Sequence, residues 1–92
     1  MNKAQLIDHM AERAQLTRQE ASRALEALLE GVTQTLVRGG EVTLVGFGTF
    51  AVDERAPRKG RNPKTGEEVP IPAAKIPKFR PGKGLREAVN RQ

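Results

Sequence analysis

The chain has no cysteine, no tryptophan and no tyrosine, and it carries one histidine, His9, and one serine, Ser22. Without cysteine there is no disulfide to staple a small secreted scaffold and no thiolate to hold a metal or act as a nucleophile. A lone serine and a lone histidine supply neither a nucleophile with its base nor a three-ligand metal centre. No catalytic residue, no metal and no cofactor is therefore expected, and the protein is read as not an enzyme. Glu67 and Glu68 are neighbours, so on extended backbone they point to opposite sides and do not form a carboxylate pair. Long hydrophobic runs are also missing: the stretch richest in apolar residues, Leu44 to Val52, is broken by glycine and threonine, and Met1-Asn2-Lys3 is followed by no apolar segment. A soluble cytoplasmic protein with no membrane partner and no small-molecule substrate is the expectation.

Large apolar side chains are scarce as well. Setting aside alanine, the 92 residues include 8 Leu, 7 Val, 3 Ile, 3 Phe and 2 Met. That is a thin supply for one small domain, and a second copy of the chain sharing one core is the simplest remedy.

What is abundant is positive charge, unevenly placed. The net charge is +5, but residues 1–54 hold five basic and eight acidic side chains while residues 55–92 hold 11 basic and 3 acidic. All six prolines lie in the second part. A mildly acidic body joined to a basic, proline-punctuated half points to a polyanion as partner.

Asn2 with Gln5, and Thr17 with Glu20, have the spacing of capping boxes. Behind them Leu6, Ile7, Met10 and Ala14, then Ala21, Leu25, Leu28, Leu29, Val32 and Leu36, recur at helical spacing until Gly39-Gly40. Helices are predicted over about 3–14 and 18–37, forming a hairpin. The period then changes to two: Val42 and Leu44 precede a turn at Gly46-Phe47-Gly48, and Phe50 and Val52 follow it. A third strand is predicted over 76–80, edge-like because Pro77 and Pro81 bound it, and a short helix begins near Lys83, with Leu85 and Val89 on one side.

Between these elements, residues 55–75 form a long proline- and glycine-rich segment around Asn62-Pro63-Lys64-Thr65-Gly66, a strong turn signature. An extended hairpin arm is expected there. From Arg55 to Pro63 it would reach about 26 Å at roughly 3.3 Å per residue, too far to fold back on so small a body. With only three phenylalanines, two of them needed in a core, the chain is poorly equipped to stack on single-stranded bases. Lysine and arginine scattered along the arm, the third strand and the last helix suit the phosphates of a duplex. Gly46-Phe47-Gly48-Thr49-Phe50-Ala51 matches a dinucleotide-binding pattern, but no crossover helix follows and a hairpin turn explains it.

Gly46-Phe47-Gly48-Thr49-Phe50, Gly60-Arg61-Asn62-Pro63-Lys64-Thr65-Gly66 and Phe79-Arg80-Pro81-Gly82-Lys83 together resemble the signature blocks of the bacterial histone-like HU proteins and integration host factor. The resemblance covers the whole chain, read as a single domain with a body (1–54), an arm (55–75) and a closing strand and helix (76–92). It implies an α+β, intertwined dimer with two N-terminal helices, a three-stranded antiparallel sheet bearing a long β-hairpin arm, and a short C-terminal helix. It also implies a nucleoid protein that binds double-stranded DNA with little sequence preference, favours bent, nicked or flexible sites, and bends and compacts DNA through minor-groove arms. Apolar wedges between base steps are an established habit of minor-groove architectural proteins, HU and integration host factor included.

Carried onto this sequence, Pro63 would intercalate, with Arg55, Arg58, Lys59, Arg61, Asn62 and Lys64 in or beside the groove. Lys3, Lys75, Lys78, Arg80, Lys83 and Arg86 would contact phosphates, and Glu26 would pair with Lys3. Phe47, Phe50, Phe79, Leu29, Val32, Leu36 and Leu44 would build the dimer core. A homodimer, or a mixed dimer with a paralogue, is implied. The alternatives are a subunit of integration host factor and, further off, a basic structural RNA-binding protein. Asp53 departs from the pattern, since relatives commonly carry Lys or Arg there.

Overall fold

Two reciprocal caps start the helices where the sequence places them. The computed structural model describes residues 1–91, with α1 at Lys3–Ala14 and α2 at Arg18–Val37. Before α1, the Gln5 backbone N–H donates to Asn2 Oδ1 and the Asn2 N–H donates to Gln5 Oε1, both at 2.9 Å. Before α2, the Glu20 N–H donates to Thr17 Oγ1 at 3.0 Å and the Thr17 N–H to Glu20 Oε1 at 2.8 Å. Each box satisfies donors that the first helical turn would otherwise leave open. Between the helices Gln15 takes a left-handed conformation, φ 56°, and the Leu16 N–H closes onto the Ala11 carbonyl at 2.9 Å.

The chain divides into two compact units, Met1–Thr35 and the part from Leu36 onward. In the first, Ile7, Ala21 and Leu25 are buried, with Met10 and Ala11 packed against them. Asp8 and Arg18 tie α1 to α2 at 2.7 Å, and Lys3 is ion-paired with Glu26 as expected. Only the N-terminal part of the α2 stripe is covered: Leu28 and Leu29 are exposed within the chain, and Val32 is half-buried.

The second unit holds β1 (Val42–Leu44), β2 (Gly48–Arg55), β3 (Arg58–Arg61), β4 (Glu68–Ile71), β5 (Ala74–Pro81) and α3 (Lys83–Asn90). β1, β2 and β5 form an antiparallel sheet in that order, which leaves β5 at an edge, as its prolines suggested. The β1–β2 turn closes with the Phe47 N–H donating to the Leu44 carbonyl at 2.9 Å, and Gly46 there has φ 84°. Gly48 is fixed by packing: a Cβ on it would lie 2.4 Å from the Phe79 ring. α3 begins against the same turn, where the Gly82 N–H donates to the Phe47 carbonyl at 2.8 Å. Leu85 is half-buried, but Val89 is exposed, so the expected pairing of these two does not cover both.

The arm is a hairpin, as expected, but its ladder is interrupted: β2–β5 pairing runs out to Arg55 opposite Ala74, stops, and resumes as a separate two-stranded sheet of β3 and β4. Ala56-Pro57 and Pro72-Ala73 form the break. Proline has no N–H to donate, so a proline on each leg ends the ladder there. The third strand is accordingly longer than predicted, starting at Ala74, and Lys75 belongs to it. Among the described residues no helix is long and apolar enough to cross a membrane.

Candidate nucleic-acid interface

Side chains opposite one another in an antiparallel ladder share a face, so the register sorts the sheet. One face of β1–β2–β5 carries Val42, Phe50 and Phe79 in a row, with Val52 opposite Pro77 and Leu44 opposite Gly48. Phe79 sits between the other two aromatics, its ring centre 4.9 Å from Phe50 and 5.5 Å from Phe47. Yet Phe47 and Phe79 remain 47% and 37% exposed, and Leu44 is 38% exposed. Of the residues read as a shared core, Leu29, Leu44, Phe47 and Phe79 are exposed within one chain, and Phe50, Val32 and Leu36 are half-buried.

The other face is mainly polar: Thr43 and Thr49 bridge by their hydroxyls at 3.3 Å, flanked by Asp53, Arg55, Lys78 and Arg80, with buried Ala51 and half-buried Ile76 among them. Two cross-strand ion pairs lie here. Arg80 donates to Glu41 Oε2 at 2.6 Å, and Lys78 Nζ lies 2.7 Å from Asp53 Oδ1. The alternation separates residues that sequence reading grouped together, since Lys75, opposite Glu54, falls on the face away from Lys78 and Arg80.

On the arm, Arg58 shares a face with Gly60, Val69 and Ile71, while Lys59 and Arg61 share the other with Glu68 and Pro70. Gly60 makes room for Ile71, whose Cδ1 would be 2.7 Å from a Cβ at that position. The tip is closed from both ends of Asn62: its N–H donates to the Glu67 carbonyl at 2.8 Å and its carbonyl accepts from the Gly66 N–H at 2.7 Å. The Asn62 side chain takes part too, because Oδ1 accepts from the Lys64 N–H at 2.9 Å. Asn62 thus builds the turn with its acceptor end, and its amide N–H2 is what it has left for a ligand. Pro63 is exposed at the apex, between exposed Arg61 and Lys64.

Five of the predicted cationic contacts carry intramolecular counterions. Besides Lys3, Lys78 and Arg80, Lys59 is 3.8 Å from Glu68 and Lys83 is 3.8 Å from Glu87. Arg55, Arg58, Arg61, Lys64, Lys75 and Arg86 have no carboxylate partner among the described residues. Glu41 and the partner of Asp53 were missed by sequence reading, since each pair joins residues far apart in the chain. Only the β2–β5 register brings Asp53 to Lys78.

A family model described as bacterial DNA-binding protein matches residues 1–90. The chain belongs to that family. Its HU character is plain from its relatives: HU-beta of Escherichia coli K12 is 58% identical over 90 residues, 98% of this chain and 100% of that one. HU-1 of Halalkalibacterium halodurans is 57% identical with the same coverage. Among solved structures, Anabaena HU in a cocrystal with DNA aligns over 100% of both chains with a TM-score of 0.87 at 47% identity. Thermotoga maritima HU aligns over 98% of this chain and 100% of its own, with a TM-score of 0.71 at 33% identity. These HU proteins share the α+β arrangement of helices, antiparallel sheet and arm described above.

Proposed function

We propose that this HU-family chain is a homodimeric, histone-like architectural protein of the nucleoid that binds double-stranded DNA with little sequence dependence, bends it and compacts it. One observation carries the reading: a two-stranded β-hairpin arm ends in an exposed proline, with exposed Arg61 and Lys64 within two residues of it. Lysine and arginine there meet the phosphates and the acceptor-lined minor-groove floor, which carries little sequence information. Pro63 is the wedge, and Arg55, Arg58, Lys59 and Lys64 follow the backbone on either side. Lys3, Lys75, Arg80, Lys83 and Arg86 supply further phosphate contacts, and Lys78 supplies one where it is released from Asp53. The dimer is supported by the exposed apolar set of Leu28, Leu29, Leu44, Phe47 and Phe79, which a second copy would cover.

Bending a site of 20–30 bp by 40–90° costs roughly 1–6 kcal/mol, so a duplex already weakened by a nick should bind more tightly than an intact one. With about 8 to 10 phosphates neutralised per dimer, log K should fall against log salt with a slope of roughly −7 to −9. Gel shifts on matched intact and nicked duplexes across a salt series measure both. Equal affinity for the two duplexes removes the wedge, and a slope near zero removes the electrostatic reading.

A further inference from the structure

The polar face of the three-stranded sheet holds three cations, Arg55, Lys78 and Arg80, and two carboxylates, Glu41 and Asp53, each within 2.7 Å of a cation. The three cations come from the basic part of the chain and the two carboxylates from the acidic part, so that face is nearly neutral. We infer that Asp53 is an internal counterion that occupies Lys78 in place of a DNA phosphate, and so sets how strongly and with what salt dependence the sheet engages DNA. The inference rests on the DNA-binding reading and adds to it a residue that limits binding.

The geometry singles out Asp53. Asp53 lies on β2 two residues beyond Ala51, which is opposite Lys78, so it is on the same face as Lys78 and reaches it diagonally across the strands. Lys78 is the least exposed of the ion-paired lysines, its side chain at 35% against 56% for Lys3, 79% for Lys59 and 83% for Lys83. A partly enclosed ammonium has fewer ways to turn from its carboxylate toward a phosphate than a free lysine on the surface. Exposed ion pairs contribute little to stability, so the pair acts mainly on the charge available to a ligand.

Counterion release makes this measurable. A lysine already neutralised by Asp53 brings no condensed cation off the DNA unless Asp53 is displaced, so each chain makes about one contact fewer than its cations suggest. Replacing Asp53 with asparagine keeps the shape and frees Lys78. In a dimer the slope of log K against log salt should steepen by about 1.8, so the affinity advantage of Asp53→Asn over wild type should shrink about 12-fold between 50 and 200 mM salt.

The test measures binding of an intact duplex by wild type, Asp53→Asn, Lys78→Gln and the double variant over that salt range. The expected result is tighter binding and a steeper slope for Asp53→Asn, with both gains lost in the Lys78→Gln background. Parallel salt dependences for wild type and Asp53→Asn overturn the inference. So does an equal gain with and without Lys78, which would make Asp53 only a diffuse negative charge. Failure of wild type to bind duplex at all is a separate result that overturns the DNA-binding reading itself.

Discussion

The helical hairpin and the sheet with its arm are stabilised in different ways. α1 and α2 are closed by local devices, two capping boxes and a left-handed turn, and they bury a small cluster of their own around Ile7, Ala21 and Leu25. The sheet buries Ala51 but leaves Phe47 and Phe79 partly uncovered, and the arm has only its ladder and its turn. The difference separates stability from function. Apart from Lys3 and the exposed leucines of α2, changes in the helical hairpin should move stability alone, changes in the arm should move DNA binding alone, and changes on the apolar sheet face should move both.

The largest effect is expected from Phe79→Ala. Phe79 lies between Phe47 and Phe50, so its loss opens the aromatic row on the face assigned to the dimer. Truncating a core phenylalanine costs about 3–5 kcal/mol, which for a domain of this size corresponds to a fall in Tm of at least ~12 °C. Sedimentation should find monomer, and DNA affinity should fall with it. A stable Phe79→Ala dimer with unchanged melting would break the comparison, because the sheet would then need no cover.

Pro63→Ala should do the reverse, leaving Tm unchanged while bending, read by ring closure or by end-to-end energy transfer, falls clearly. Affinity should drop by less than about tenfold, or ~1.4 kcal/mol, because the phosphate contacts remain. Unchanged bending would show that the apex proline serves the turn and not the DNA.

How far these assignments could be read from sequence follows the same division. The caps at Asn2 and Thr17, the Gly46-Phe47-Gly48 turn and the Asn62–Gly66 tip are written within a few residues, and the structure has them there. The break in the arm was missed because Pro57 and Pro72 matter only as a pair on facing legs. Glu41 and Arg80 stand 39 positions apart, and Asp53 meets Lys78 only once β2 and β5 are in register. The same register sends Lys75 to the opposite face. Composition located the basic half, but only strand pairing decides which of its cations are free.

Gly66→Ala is a finer probe of the arm's independence. Gly66 has φ 73°, where a Cβ is strained by about 1 kcal/mol, and no neighbouring atom would meet that Cβ. The cost should stay within the tip. Thermal stability should hold, while DNA affinity should weaken about fivefold, the equivalent of ~1 kcal/mol, as DNA must then order a less favourable turn. A fall of several degrees in Tm would mean that the tip is coupled to the rest of the fold.

The smallest effect belongs to Glu20, in the helical hairpin. Backbone and side-chain hydrogen bonds with Thr17 hold its carboxyl below the ordinary carboxylate value, with burial contributing only a slight opposing push. A folded-state value below the unfolded one means that stability from the ionised form is present above the unfolded value and is lost as pH falls through the folded one. Glu20→Gln retains an oxygen to accept the Thr17 N–H but has no charge to lose. Denaturant midpoints of wild type and Glu20→Gln should therefore differ at neutral pH and converge as the solution is acidified below about pH 4. DNA affinity at neutral pH should be the same for both. If Glu20→Gln instead changed the salt slope of binding, the interface would extend over the helical hairpin beyond Lys3, and the division between stability and binding would have to be redrawn.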